Sequence, residues 1–228
     1  MEELKVKPIP TRNWKDKNFD LVVQRDKDRK KSQLRVDIRI YYMWFHYLKL
    51  SLNLEEINYS VKKKGARGKV LAKTEVKVNK HIYKNWDLND LYTMNFKEWY
   101  KDPKHKKLFT DGGFKPQSRA RYHSLVKRYN VFIEYYNGMN GVFVDTSKGN
   151  NTQETHVCSD IFEKYQKVRF DQLKKKDPGM YVEEIEKDGK VETKYRYRNE
   201  VNTLVKKDVK KCGKEILSCC QGEFPKSV

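Results

Sequence analysis

Apolar residues return at helical spacing early in the chain and define its first strong pattern. From Leu34 onward they fall at intervals of three and four residues, which predicts a long helix with one face in a core. The stripe consists of Tyr41, Trp44, Phe45, Leu48 and Leu52. Residues 1–33 before it are polar, contain Pro8 and Pro10, and are predicted to form an N-terminal arm.

Two shorter helical patterns follow in the first half. Residues 78–86 carry apolar side chains at helical spacing, with Asn79 as a candidate N-cap. Residues 88–99 continue the pattern, with Asn95 as a second cap and a stop at Asp102-Pro103. We therefore expect a long helix followed by short ones.

The second half is predicted to repeat this order. Residues 122–136 form another long stripe, residues 157–165 match 78–86 in spacing, and Asp177-Pro178 matches Asp102-Pro103. The repetition favours an internal duplication, with helical module 1 at residues 34–111 and module 2 at 115–181.

The pattern changes in residues 182–228. Asp188-Gly189 lies between alternating apolar and charged residues, which predicts a β-hairpin. Val201, Leu204, Val205 and Val209 then begin a closing helix that reaches about Ser218. The predicted fold class is mainly α, with two tandem helical modules, a C-terminal β-hairpin and a closing helix.

Charge narrows the possible partners. The 228 residues include 50 Lys or Arg and 31 Asp or Glu, a net charge of +19. Solubility requires a net charge of only about 2 to 8 in a small domain, so we expect a polyanionic partner. No apolar run approaches the roughly 18 residues of a membrane span. We expect a soluble intracellular protein of the cytoplasm or nucleoid, or one associated with a virion, without a membrane partner.

The sequence predicts no metal site and no cofactor. The four cysteines, Cys158, Cys212, Cys219 and Cys220, lack zinc-ligand spacing and are expected to be buried or idle thiols. Neither a Walker A loop nor a dinucleotide-binding glycine motif occurs, so nucleotide chemistry is unsupported.

Basic clusters are the candidate nucleic-acid contacts. With 38 lysines and 12 arginines, the chain is suited to phosphates more than to base edges. The first cluster is a glycine-containing segment at residues 62–69, which we expect to be a mobile loop. The predicted binding residues are Lys62, Lys63, Lys64, Arg67, Lys69, Lys104, Lys106, Lys107, Arg119, Arg121, Lys127, Arg128, Lys174, Lys175, Lys176, Arg196 and Arg198.

These observations favour a non-enzymatic nucleic-acid-binding protein. We expect DNA rather than RNA, and the lysine-, asparagine- and tyrosine-rich composition suggests a phage, virus or mobile element. One alternative is a structural or assembly protein of a virion or other large complex, whose basic surface meets nucleic acid or an acidic protein. A minor alternative is a metal-dependent nuclease that uses Asp177, Glu192 and Lys194.

Overall fold

The computed structural model describes residues 6–9, 29–62, 69–110, 122–139, 152–166, 171–172, 175, 183–187, 190–194 and 198–225. This part of the chain is mainly helical, as predicted. In chain order its elements are α1 (Arg29–Ser51), β1 (Glu56–Lys62), β2 (Lys69–Glu75), α2 (Leu88–Thr93), α3 (Phe96–Lys101), α4 (Pro103–Thr110), α5 (Tyr122–Gly138), α6 (Thr152–Tyr165), β3 (Glu183–Lys187), β4 (Lys190–Lys194) and α7 (Arg198–Cys220).

The final helix α7 lies among the other long helices. It packs against α1, α5 and α6, while α5 also packs against α1 and α6. Its buried face carries Val201, Val205, Val209, Cys212 and Ile216, which recur at the spacing of one helical face. The two predicted modules therefore share one hydrophobic core, to which α7 contributes.

The first helix is buried on more than the one face that its stripe predicts. Met43, Trp44, Phe45, Tyr47 and Leu48 are consecutive or nearly so, and all are completely buried. A helix that is apolar all round belongs inside a fold. Its start is also earlier than expected, at Arg29, inside the predicted arm.

The described part of the N-terminal segment is docked on α5. Val6 and Ile9 are buried. The side-chain amide of Asn130 accepts a hydrogen bond from the Ile9 N–H (2.7 Å) and donates one to the Ile9 carbonyl (2.6 Å). Asn130 is itself fully buried, so the pairing satisfies its amide in the core.

Strands β1 and β2 were not expected from the sequence. They pair antiparallel, with Glu56 opposite Glu75 and Lys62 opposite Lys69. Residues 63–68 of the predicted loop lie outside the described residues. The alternation of Ile57, Tyr59 and Val61 is a period-two signal that helical patterns nearby obscure.

The helix predicted at residues 78–86 is wrong. This stretch is a hydrogen-bonded turn. The Asn79 side chain does cap it, since Oδ1 accepts from the N–H groups of His81 (3.1 Å) and Ile82 (3.3 Å). The Tyr83 N–H donates to the Asn79 carbonyl (3.1 Å), so one turn forms without extending into a helix.

The next capping signals are confirmed. Asn95 forms a capping box with Glu98 at the start of α3, and Asp102 ends that helix. The chain does not leave helical structure there, because Pro103 begins α4. Proline is favoured at the first position of a helix, where its missing N–H costs nothing.

The duplication is not confirmed. The turn at 78–86 would correspond to residues 157–165, which belong to the 14-residue helix α6. Strands β3 and β4 pair antiparallel, with Glu183 opposite Lys194. The predicted turn pair Asp188-Gly189 and the second short-helix signal, Phe170 and Leu173, lie outside the described residues.

A buried polar cluster joins three helices. Glu154 of α6 is fully buried, and its Oε1 accepts a hydrogen bond from the Tyr135 hydroxyl of α5 (2.5 Å). Lys206 of α7 lies 2.7 Å from the same oxygen. A buried carboxylate requires such partners, because desolvation disfavours the unpaired charge.

We predict that Glu154→Ala destabilises the fold by about 3 kcal/mol, because it leaves the partly buried Lys206 without its counter-charge. Equilibrium urea unfolding followed by circular dichroism measures the change. The control is Glu163→Ala, which removes an exposed carboxylate from the same helix and should cost less than about 0.5 kcal/mol. Equal destabilisation by both variants would contradict the structural role of the cluster.

His46 lies in an aromatic environment on α1. Its ring centroid is 4.4 Å from that of Tyr42, 5.4 Å from that of Phe45 and 5.8 Å from that of Tyr129. Burial, with a smaller contribution from the positive charge of Lys49, lowers the pKa of His46 to about 3. The imidazole is therefore neutral in the folded protein at physiological pH.

We predict that His46 makes the fold less stable as pH falls. In the unfolded chain its pKa is about 6.5, so the unfolded state binds a proton below that pH. The folded state binds this proton only near pH 3, so lowering the pH favours unfolding. The free energy of unfolding should decrease by about 1.4 kcal/mol per pH unit from this group between about pH 6 and 5. In urea unfolding at a series of pH values between about 6 and 5, His46→Gln should remove this contribution to the slope. An unchanged slope in His46→Gln would refute the prediction.

Candidate functional site

The outer face of α7 carries a row of lysines, here called the lysine row: Lys207, Lys210, Lys211 and Lys214. Their spacing of i, i+3, i+4 and i+7 places them on one side of the helix. Lys207, Lys210 and Lys214 are exposed and Lys211 is partly exposed. With a rise of 1.5 Å per residue, the row is about 10 Å long. No hydrogen bond or ion pair joins these side chains to the described residues.

The carboxylates of α7 that the structure describes point the other way. Asp208 lies 2.8 Å from the ammonium of Lys127, with its side chain 13% exposed. Glu215 lies 3.7 Å from Arg128 and is 1% exposed. Both partners are on α5. These two acids neutralise cations of α5 and not the lysine row, so the row keeps its positive charge along residues 207–214.

A turn is anchored at the carboxyl end of the same helix. The Asn79 N–H donates to the carbonyl of Cys220 (3.0 Å), and the Tyr83 hydroxyl donates to the carbonyl of Cys219. The last carbonyls of a helix lack partners within it, and these contacts supply them. The Trp44 indole N–H in turn donates to the Tyr83 hydroxyl (2.9 Å), which fixes the turn to the core.

The anchored turn, residues 77–86, has basic side chains on its outer surface. Lys77, Lys80, His81 and Lys84 are all exposed. The structure gives these four side chains no partner among the described residues. Tyr83 and Trp86 of the same segment are buried, so the segment alternates between core contacts and surface cations.

Three of the cations predicted to bind nucleic acid have internal partners. Lys127 and Arg128 form the ion pairs with α7 described above. Lys104 lies 3.7–3.9 Å from carboxylate oxygens of Asp87, Asp90 and Asp102. Their charges therefore contribute to packing and local neutralisation.

The other predicted contacts are dispersed. Lys106 and Lys107 of α4 are exposed, as is Lys175. The backbones of Lys62, Lys69 and Arg198 lie at the ends of β1, β2 and α7. The remaining predicted residues lie outside the described part of the chain: Lys63, Lys64, Arg67, Arg119, Arg121, Lys174, Lys176 and Arg196.

The lysine row was missed in the sequence, although a signal for it is present. The closing helix has apolar residues at helical spacing, and a second set of positions with the same spacing falls on the opposite side of the helix. That set consists of lysines: Lys207, Lys210, Lys211 and Lys214. The basic turn was missed for another reason. A helix at residues 78–86 predicts nothing about where Lys77, Lys80 and Lys84 lie relative to α7. The contact between Asn79 and Cys220 joins positions that are distant in sequence, so the sequence pattern does not reveal it.

The cysteines are buried thiols, as predicted. Burial raises the pKa of Cys158 to about 12 and raises that of Cys212 as well, so neither is a thiolate at neutral pH.

Among the described residues, no group of three or more His, Cys, Asp or Glu side chains is arranged to hold a metal ion. Glu192 and Lys194 of the nuclease alternative lie on the β4 backbone, and Asp177 lies outside the described residues.

No helix within the described ranges combines the length and apolar character that crossing a membrane requires. Comparisons of the chain with protein-family models, with curated proteins and with solved structures found no match.

Proposed function

We propose that this protein is a non-enzymatic nucleic-acid-binding protein that contacts phosphates, with DNA as its ligand. The observation that carries the proposal is the lysine row on α7. Asp208 and Glu215 of the same helix are paired with Lys127 and Arg128 of α5, so neither of these two acids neutralises the row toward an approaching polyanion.

The chemistry of the row suits a phosphate backbone. Each Lys ammonium is a compact point charge, and it neutralises a phosphate without the forked geometry that reads a guanine edge. A row about 10 Å long spans about three phosphates of one strand, at 3.4 Å per phosphate along a duplex axis. Binding of this kind releases counterions and depends steeply on salt.

The composition supports a source in a phage, virus or mobile element, and the two predicted modules would be divergent copies from an internal duplication.

An assembly protein of a virion or large complex is the alternative function. It would form regular homo-oligomers and would bind free duplex weakly. Nuclease activity would appear as magnesium-dependent cleavage of the DNA that is lost in Glu192→Ala.

We predict that Lys207→Gln with Lys211→Gln weakens binding to a labelled DNA hairpin. Loss of two phosphate contacts should reduce the slope of log K against log salt by about 1.8, which corresponds to about 60-fold weaker binding at 0.1 M salt. Fluorescence anisotropy across a salt series measures both quantities, with and without magnesium.

The matched control is Lys97→Gln with Lys101→Gln. It removes the same charge at the same spacing of four residues, from exposed positions on α3. If both double variants weaken binding equally, net charge is responsible and the lysine row is not the interface. If the wild type does not bind the hairpin at about 50 mM salt, the proposed function is wrong.

A further inference from the structure

The side of α7 that carries the lysine row continues past Lys214 toward the end of the helix at Cys220. Gln221 lies one residue beyond α7 and follows Lys214 by seven residues, as Lys214 follows Lys207, and seven residues are about two turns of helix. The Asn79 side-chain amide donates to the side-chain carbonyl of Gln221 (3.3 Å). Asn79 is therefore beside the carboxyl end of α7, about 10 Å along the helix from Lys214, and it begins the turn that carries Lys80 and Lys84.

We infer that the lysine row and the anchored turn form one continuous binding surface for a nucleic-acid duplex. This inference rests on the proposed function and assigns to it a second contact element and a form of nucleic acid. The path from Lys207 to Gln221 is about 21 Å long, and the turn that carries Lys80 and Lys84 begins at Asn79, beside Gln221. At 3.4 Å per base pair, the surface covers at least about six base-pair steps.

The turn is held rigidly enough to act together with the helix. Its backbone is bonded to the Cys220 carbonyl and its Tyr83 hydroxyl to the Cys219 carbonyl. Trp86 packs against Trp44 and Trp99, with ring centroids 6.4 and 5.2 Å apart. The cations of turn and helix thus keep a fixed relation to one another.

Fixed cations favour a duplex over a single strand. A duplex is stiff over about 150 base pairs and presents phosphates at fixed spacing, so it loses little conformational freedom on a rigid surface. Single-strand binding proteins add exposed aromatic side chains on which bases stack. The aromatic residues of the turn, Tyr83 and Trp86, and their contact Trp44 are instead buried in the core.

The first acid after the turn has partners other than the lysines of the turn. Asp87, the first acid after it, lies 3.8 Å from Lys104. Its side chain also accepts a hydrogen bond from the Asp90 N–H as the cap of α2. Asp87 therefore has local partners of its own, and Lys80 and Lys84 remain for an external anion.

The test uses Lys80→Gln with Lys84→Gln, which has the same spacing of four residues as the two double variants above. On a hairpin with a 12-base-pair stem, it should reduce the salt slope by about 1.8 and weaken binding about 60-fold at 0.1 M salt. Combined with the Lys207 and Lys211 substitutions, the two losses should add on a logarithmic scale. On a four-base-pair stem, which cannot reach both elements, the loss from the turn variant should shrink.

The outcomes separate this inference from the proposed function. If the turn variant binds like the wild type while the Lys207 and Lys211 variant is weakened, the continuous surface is wrong and the lysine row stands. If the Lys97 and Lys101 control is weakened as much as the turn variant, the effect is net charge and the inference fails. If oligo-dT of equal charge binds as tightly as the hairpin, the assignment to a duplex is overturned.

Discussion

The fold depends on burying a helix whose inner face is charged as well as apolar. Helix α7 brings Asp208, Glu215 and part of Lys206 into contact with α5 and α6. Removing such groups from water costs several kcal/mol each unless they are paired. Lys127, Arg128 and Glu154 supply the pairs, so the positions of α5 and α6 are fixed by charge in addition to hydrophobic contact. Apolar packing alone would tolerate more than one arrangement of these helices.

The pairing of these buried charges also determines which charges α7 presents to solvent. Asp208 and Glu215 pair with cations of α5, so they cannot also neutralise the lysines on the outer face of α7. The carboxyl end of the helix adds a second requirement, because its last carbonyls need donors. The Asn79 N–H and the Tyr83 hydroxyl meet that need, and in doing so they bring the cations of a distant segment to the carboxyl end of α7. The contacts that pack α7 in the fold therefore also determine which cations lie on the surface beside it.

Local signals predicted local structure well. The stripe of α5, the cap at Asn95 and the closing helix follow from spacing and from hydrogen bonding within a few residues. The turn at 78–86 was mistaken for a helix because its apolar spacing is helical, whereas only one turn forms and two of its donors bond to the carbonyls of Cys219 and Cys220. Lys127 and Arg128 looked like surface cations because Asp208 and Glu215 are distant in sequence. Spacing reveals which side chains share a face, but only packing determines whether a charged face meets solvent or another charge.

This distinction explains why total charge alone is a poor guide to the interface. Lys104, Lys127 and Arg128 contribute to the net charge of +19, yet each is opposed by carboxylates at close range. A phosphate that approached them would compete with partners already in place, and the exchange would gain little. A phosphate at Lys207 or Lys210 displaces only water and counterions, and the release of those ions favours binding. We therefore expect the described cations without internal partners to be the positions at which a polyanion would bind.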